Sequence, residues 1–198
     1  MSTRTRMGGA AVAATGIAAA LLLWPAPSGA ADAKAVAELR SATGASLGSV
    51  TFLGHGVHAT SVRVELDLPA DAPGLGDFHG LHVHATGVCD APFTSAGGHW
   101  DVGGHTHGAH LGDLPSVLVG PDGHAELTFA TPRVEVADLV GRAVILHTGR
   151  DNFNNVPVGA NADQYTSNGT AADTLTAGTG NAGARYGCGV IDVTGNQG

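Results

Sequence analysis

Between Ser61 and Leu68 the chain reads Ser-Val-Arg-Val-Glu-Leu-Asp-Leu, which puts Val62, Val64, Leu66 and Leu68 on one side of an extended segment and the charges on the other. This alternation predicts a half-buried antiparallel strand. Similar short apolar or alternating runs recur at Ser49 to Leu53, Leu81 to His84, Ser116 to Val119, Ala125 to Thr131, Arg142 to His147 and Gly189 to Val193, separated by clusters of Gly, Pro and Asp. Pro121-Asp122-Gly123 between two of these runs predicts a hairpin turn. No convincing helical apolar period follows the first thirty residues. The 31 glycines also weigh against long helices, since each costs about 1 kcal/mol relative to Ala in a helix interior. The expected architecture is all-β, a sandwich or barrel.

Two stretches refuse the strand pattern: residues 87–114, dense in Gly and His, and residues 148–184, dense in Gly, Asn, Thr and Ala. Long segments of this kind inside a compact domain are usually functional or disordered. Each is tied to a cysteine, because Cys89 lies in the first and Cys188 just follows the second.

The first thirty residues have a different character. Arg4 and Arg6 form a basic start, Ala10 to Trp24 is almost wholly apolar, and Ser28-Gly29-Ala30 supplies the small residues of a cleavage site. Residues 1–30 are therefore expected to be a secretory signal peptide and residues 31–198 one exported domain. A membrane anchor is the competing reading, but about 20 apolar residues are needed to span a bilayer and Pro25 and Pro27 interrupt the run early. The expected location is secreted, periplasmic or otherwise extracytoplasmic, without membrane insertion.

Removing the signal leaves seven Lys and Arg against seventeen Asp and Glu, a net charge of −10. Such an acidic domain is a poor partner for nucleic acid or anionic membranes. Cys89 and Cys188 are the only cysteines, and an oxidising compartment favours their pairing as a disulfide. Asn168-Gly169-Thr170 has the form of a glycosylation acceptor, a weak signal on its own.

All eleven histidines follow the signal, and His82, His84, His99, His105, His107, His110 and His147 are concentrated near the irregular stretches. On a strand, His82-Val83-His84 projects two imidazoles from one face. His147 ends the apolar run Ala143-Val144-Ile145-Leu146, where a strand delivers its last side chain to a sheet rim. His99, His105, His107, His110 and Asp113 mix imidazoles with one carboxylate, a ligand set that suits tetrahedral zinc.

Several strings resemble the copper/zinc superoxide dismutases, and together they run from His79 to Ile191. His79-Gly80-Leu81-His82-Val83-His84 resembles the family's His-Gly-Phe-His-Val-His segment, with Leu81 in place of Phe. Gly87-Val88-Cys89, Ser95-Ala96-Gly97-Gly98-His99, His110-Leu111-Gly112-Asp113-Leu114 and Val144-Ile145-Leu146-His147 with Asp151 resemble further family segments. The most specific string is the run from Gly180 to Ile191, in which Arg185 precedes Cys188 by three residues.

The resemblance implies an antiparallel Greek-key β-sandwich or barrel with two long functional loops. It implies copper on His82, His84, His99 and His147, and zinc on His99, His107, His110 and Asp113. His99 would bridge the two metals, and Asp151 would hydrogen-bond the far nitrogens of a copper-bound and a zinc-bound histidine. The zinc loop is shorter than in many members; spacing favours His107 as its middle ligand, and His105 is the alternative. His55, His58 and His124 match no ligand position, and His79 reads as a structural hydrogen-bonder.

The implied activity is disproportionation of superoxide to dioxygen and hydrogen peroxide, with copper cycling between two oxidation states and Arg185 attracting the anion. An exported carrier or buffer of copper and zinc without turnover is the alternative, against which Arg185 argues, since a carrier has no need of a cation beside a cationic metal. The sequence leaves monomer and homodimer equally open.

Overall fold

The computed structural model describes residues 33–55, 59–153 and 172–193. The expected signal peptide, His58 and the Asn168-Gly169-Thr170 tripeptide lie outside these residues. Seven antiparallel strands form one sheet: β1 (Lys34–Ser41), β2 (Ser46–Gly54), β3 (Thr60–Asp67), β5 (Leu81–His84), β7 (His124–Thr131), β8 (Ala143–His147) and β9 (Arg185–Val193). Their order is β5-β8-β9-β1-β2-β3-β7. The chain thus leaves β3 for the far edge at β5, returns to β7 beside β3, and crosses again to β8 beside β5, the long crossovers of a Greek key. A second, two-stranded sheet pairs β4 (Phe78–His79) with β6 (Val117–Leu118).

Alternation explains the burial. Val62, Val64 and Leu66 of β3 are fully buried, while Arg63 and Glu65 face outward and Arg63 pairs with Glu65 and with Glu126 of β7. Leu39, Phe52, Leu66, Leu81, Leu146 and Ile191, contributed by six strands of the sheet, belong to one buried cluster, so the sheet curls around a single core. The predicted turn forms between β6 and β7, where the Gly123 N–H donates to the Gly120 carbonyl and Gly120 N–H to the His124 carbonyl.

Two features depart from the sequence reading. An eight-residue strand, β1, precedes the first predicted one; its inward residues are Ala35, Ala37 and Leu39, and small alanines make a faint alternation. Helices also occur. α1 (Val136–Leu139) is one turn held by reciprocal capping between Glu135 and Asp138. α2 (Ala172–Thr179) lies inside the second irregular stretch. No helix among the described residues is long and apolar enough to cross a membrane.

Candidate metal centre

The centre lies on the outer face of the sheet, on β5 and the neighbouring end of β8. In β5, Leu81 and Val83 turn inward against Leu146 and Val144, their register partners on β8. His82 and His84 consequently project to the other face, opposite Ile145 and Ala143, and both are fully buried. What buries them is the first irregular stretch, which runs along the free edge of β5. The Val83 N–H donates to the Gly112 carbonyl at 2.8 Å, and Trp100 N–H donates to the Val83 carbonyl at 2.8 Å. Isolated bridges then set His99 opposite His84 and Asp113 opposite His82. Gly112 makes this approach possible, because a Cβ there would lie 2.2 Å from the Val83 carbonyl oxygen. At the end of β8 the register shifts by one, leaving His147 opposite Arg185 of β9.

His82, His84, His99 and His147 therefore converge, and one ligand atom from each lies within 4.8 Å of the other three. The hydrogen bonds of each ring fix which nitrogen faces the centre. His84 Nδ1 donates to the Gly97 carbonyl at 2.9 Å, and His147 Nδ1 donates to the Gly183 carbonyl at 3.1 Å. His82 Nε2 meets Asp151 Oδ2 at 2.5 Å, and His99 Nδ1 meets Asp113 Oδ1 at 2.9 Å. The remaining nitrogens, His82 Nδ1, His84 Nε2, His99 Nε2 and His147 Nε2, are all buried and have no hydrogen-bond partner. Buried polar atoms are almost always satisfied, so four orphans facing one point are the signature of a cation site.

A second group meets on the other side of the His99 ring. The ligand atoms of His82, His99, His107 and Asp113 also lie within 4.8 Å of one another. Asp113 Oδ1 is the hub: it is 2.9 Å from His99 Nδ1, 3.1 Å from His107 Nδ1 and 3.3 Å from His110 Nδ1. His110 joins this group through Asp113, while its Nε2 donates to the His105 carbonyl at 3.0 Å. His105 itself is half exposed and pairs with Asp101 at 2.9 Å, away from the hub. The structure thus brings His107 to the centre and leaves His105 at the surface. Asp151 spans the two groups, with Oδ2 on His82 and Oδ1 on His107 Nε2 at 2.6 Å.

Burial dominates the electrostatics of the first group. It drives His82 well below the ordinary 6.5, helped by the charges of His99 and His147. It also pushes His84 down to about 2 and His147 to about 4, and lowers His99 despite the hydrogen bond that His99 Nδ1 donates to Asp113. These rings are neutral at physiological pH, the form that ligates metal. His107 behaves oppositely: burial opposes its charge, but hydrogen bonds to Asp113 and Asp151 outweigh burial and raise it to about 9. Burial likewise disfavours ionised Asp113, yet His107 and His99 hold its carboxyl well below the usual range.

The remaining predicted residues are placed as follows. Cys89 and Cys188 are joined, with Cα atoms 5.7 Å apart, and the bridge packs against Phe93, Ala96 and Ile145. Arg185 lies beside His147 and donates through Nη1 to the Phe93 carbonyl and through Nη2 to the Gly97 carbonyl at 2.6 Å. Gly97 therefore holds both His84 and Arg185. His79 contacts the His147 carbonyl through Nδ1 and the Gly74 carbonyl through Nε2. His55 bonds Ser61, and His124 pairs with Asp67, both at the surface.

Sequence reasoning missed three contributors. Phe153 stacks on the His107 ring at a centroid distance of 5.7 Å. Gly180, at φ +64°, lies so close to Asp151 and His107 that a Cβ would come within 2.1 Å of Asp151 Oδ1. Arg133 donates to the loop that carries His110. Gly180 stands within the most specific string, whereas nothing around Phe153 or Arg133 marks them in the sequence.

A curled Greek-key sheet whose outer face carries two adjoining groups that share His82 and His99 defines an antiparallel β-protein in which each group could hold a metal ion. Residues 46–191 match the family described as copper/zinc superoxide dismutase (SODC), and the chain belongs to that family. It is 36% identical over 191 residues to a protein of Mycolicibacterium paratuberculosis named Superoxide dismutase [Cu-Zn], covering 84% of this chain and 81% of that one. Over 130 residues it is 43% identical to the protein of the same name from Mycobacterium tuberculosis, covering 58% of this chain and 52% of that one. A solved structure described as the clock protein EA4 superposes with a TM-score of 0.63 at 24% identity, covering 82% of this chain and 95% of that chain, a likeness of fold.

Proposed function

We propose that the chain disproportionates superoxide to dioxygen and hydrogen peroxide, with copper held by His82 Nδ1, His84 Nε2, His99 Nε2 and His147 Nε2, and zinc by the Nδ1 atoms of His99, His107 and His110 with Asp113 Oδ1. The observation that carries this reading is the set of four buried, partnerless nitrogens facing one another. Copper supplies, when bound, a one-electron couple that takes an electron from one superoxide and returns it to a second, and two protons complete the peroxide.

The chain's own residues do the rest. The Gly97 and Gly183 carbonyls and Asp151 lock ring orientation, so the donor nitrogens are arranged before any ion arrives. Arg185, tethered to two backbone carbonyls beside His147, presents a fixed positive charge to an approaching anion. His99 Nε2 is suited to hold one proton between the two half-reactions, because the ring's Nδ1 lies in the second group and would keep the ring in place. A carrier without turnover is not favoured, since the relatives the chain matches are named superoxide dismutases and a carrier has no need of a cation such as Arg185 beside its metal.

Residues 1–30 are read as an export signal. The Cys89–Cys188 bridge and the bacterial relatives support a location outside the cytoplasm. Elemental analysis combined with a superoxide assay on the purified protein tests the enzymatic reading: copper and zinc near one each with turnover are expected. Full copper loading without turnover would overturn it. N-terminal sequencing of exported material, expected to begin near Ala31, tests the signal.

A further inference from the structure

We propose that Arg133 is a positioning residue for the zinc group, a brace that holds the Gly108–His110 turn from outside the metal centre; the proposal rests on the zinc assignment made above. Asp113 presents Oδ1 to His99, His107 and His110, so its second oxygen must be anchored elsewhere. Oδ2 accepts from the backbone N–H groups of Gly108 at 2.7 Å and His110 at 3.0 Å. The direction of the carboxylate is therefore set by the turn from Gly108 to His110, and whatever fixes that turn fixes the ligand.

The two carbonyls of the same turn point the other way, and Arg133 takes both. Its Nη1 donates to the His110 carbonyl at 3.2 Å and its Nη2 to the Gly108 carbonyl at 3.3 Å. Phe153 packs its backbone against Gly108 from one side, but on the side of β7 packing does not reach the turn. A cleft of about 440 Å³ separates the turn from β7, with Gly108, Asp113, Leu114, Phe129 and Pro132 among its lining. The guanidinium spans that gap from a rigid base. The Arg133 N–H donates to Thr131 Oγ1 at the end of β7, and the next residue, Val134, is buried with its carbonyl accepting from the buried Thr60 hydroxyl of β3 at 2.7 Å. A planar fork carrying two parallel donors matches two carbonyls two residues apart in one turn; a lysine ammonium on a flexible stem serves such a pair poorly.

The test measures metal release from the protein loaded with copper and zinc into excess chelator, each metal followed separately. Outer partners of a ligand typically govern metal affinity by 10–100-fold. Arg133→Met, which keeps the apolar stem but removes the donors, is expected to speed zinc release about tenfold while copper release stays within about twofold. Arg133→Lys is expected to fall between Arg133→Met and the unaltered protein. Zinc release unchanged in Arg133→Met, or zinc and copper released faster by the same factor, would overturn the brace. His110→Ala separates the two levels of the argument. If it releases zinc fast while Arg133→Met does not, only the brace fails; if it leaves zinc release unchanged, the zinc assignment fails and the brace with it.

Discussion

At the scale of the residue, two side chains carry predictions that separate metal holding from turnover. Arg185 touches backbone carbonyls and no ligand atom of either group, so Arg185→Ala is expected to retain copper while losing activity at least about tenfold, the lower end of what a local field contributes to capture of a charged substrate. The activity that remains should depend less on ionic strength, since the charge being screened is gone. Copper analysis beside a salt series checks both halves, and wild-type turnover would remove Arg185 from the mechanism. Asp151 joins His82 and His107, so Asp151→Ala is expected to weaken zinc retention about 10–100-fold, read by chelator competition. The sequence displayed part of this level. Alternation alone put His82 and His84 on one face, whereas the positions of His105 and His107 follow from the loop's path, which turns His105 toward Asp101 and His107 toward Asp113. Arg133 was invisible, because its partners lie 23 and 25 residues away and a carbonyl leaves no mark on sequence.

At the scale of the element, strands with a strong pattern were legible nearly to their ends, β3 by its alternation and β8 by its continuous apolar run. β1 was lost because alanines fill two of its inward positions, and α2 because Thr and Gly in Ala172–Thr179 have poor helix propensity. Tertiary ties support that helix instead: the His107 N–H donates to the Ala177 carbonyl at 2.7 Å, joining the two irregular stretches directly. The disulfide loop shows the same dependence of an element on its anchor. Cys89 starts a segment whose Phe93 and Gly97 carbonyls receive Arg185, while Cys188 lies on the strand that carries Arg185. Replacing both cysteines by serine is expected to cost roughly 2–5 kcal/mol of stability. It should also lower activity per bound copper, because the acceptors of Arg185 are then held less firmly. Melting curves and turnover normalised to copper check this, and unchanged turnover per copper would show that the loop keeps Arg185 in place without its bridge.

At the scale of the whole molecule, periodicity cannot say that β5 and β8 become neighbours. That adjacency brings His82 to His147, 65 positions further along the chain, and in the sequence only the resemblance to a family carried it. The same assembly sets a pH dependence for the metal-free protein. Burial depresses His82, His84, His99 and His147 below 6.5, so between their folded values and 6.5 the unfolded chain binds more protons than the folded one. Stability therefore rises with pH across that interval and is lost as pH falls below 6.5. For His147, brought to about 4, the loss alone amounts to up to about 3 kcal/mol. His107 acts with the opposite sign: raised to about 9, it contributes stability that is complete below 6.5 and disappears as pH climbs through 9. Melting temperatures of the metal-free protein should thus peak near neutrality and fall on both sides. Bound metal should remove the acid limb at first, because an ion held as proposed by His82, His84, His99 and His147 would take the lone pairs that protons would claim. The loaded protein should hold its melting temperature below pH 6.5 until metal release begins, then drop steeply. A metal-free protein equally stable at pH 4.5 and pH 7 would contradict the neutral, buried histidines on which the whole centre depends.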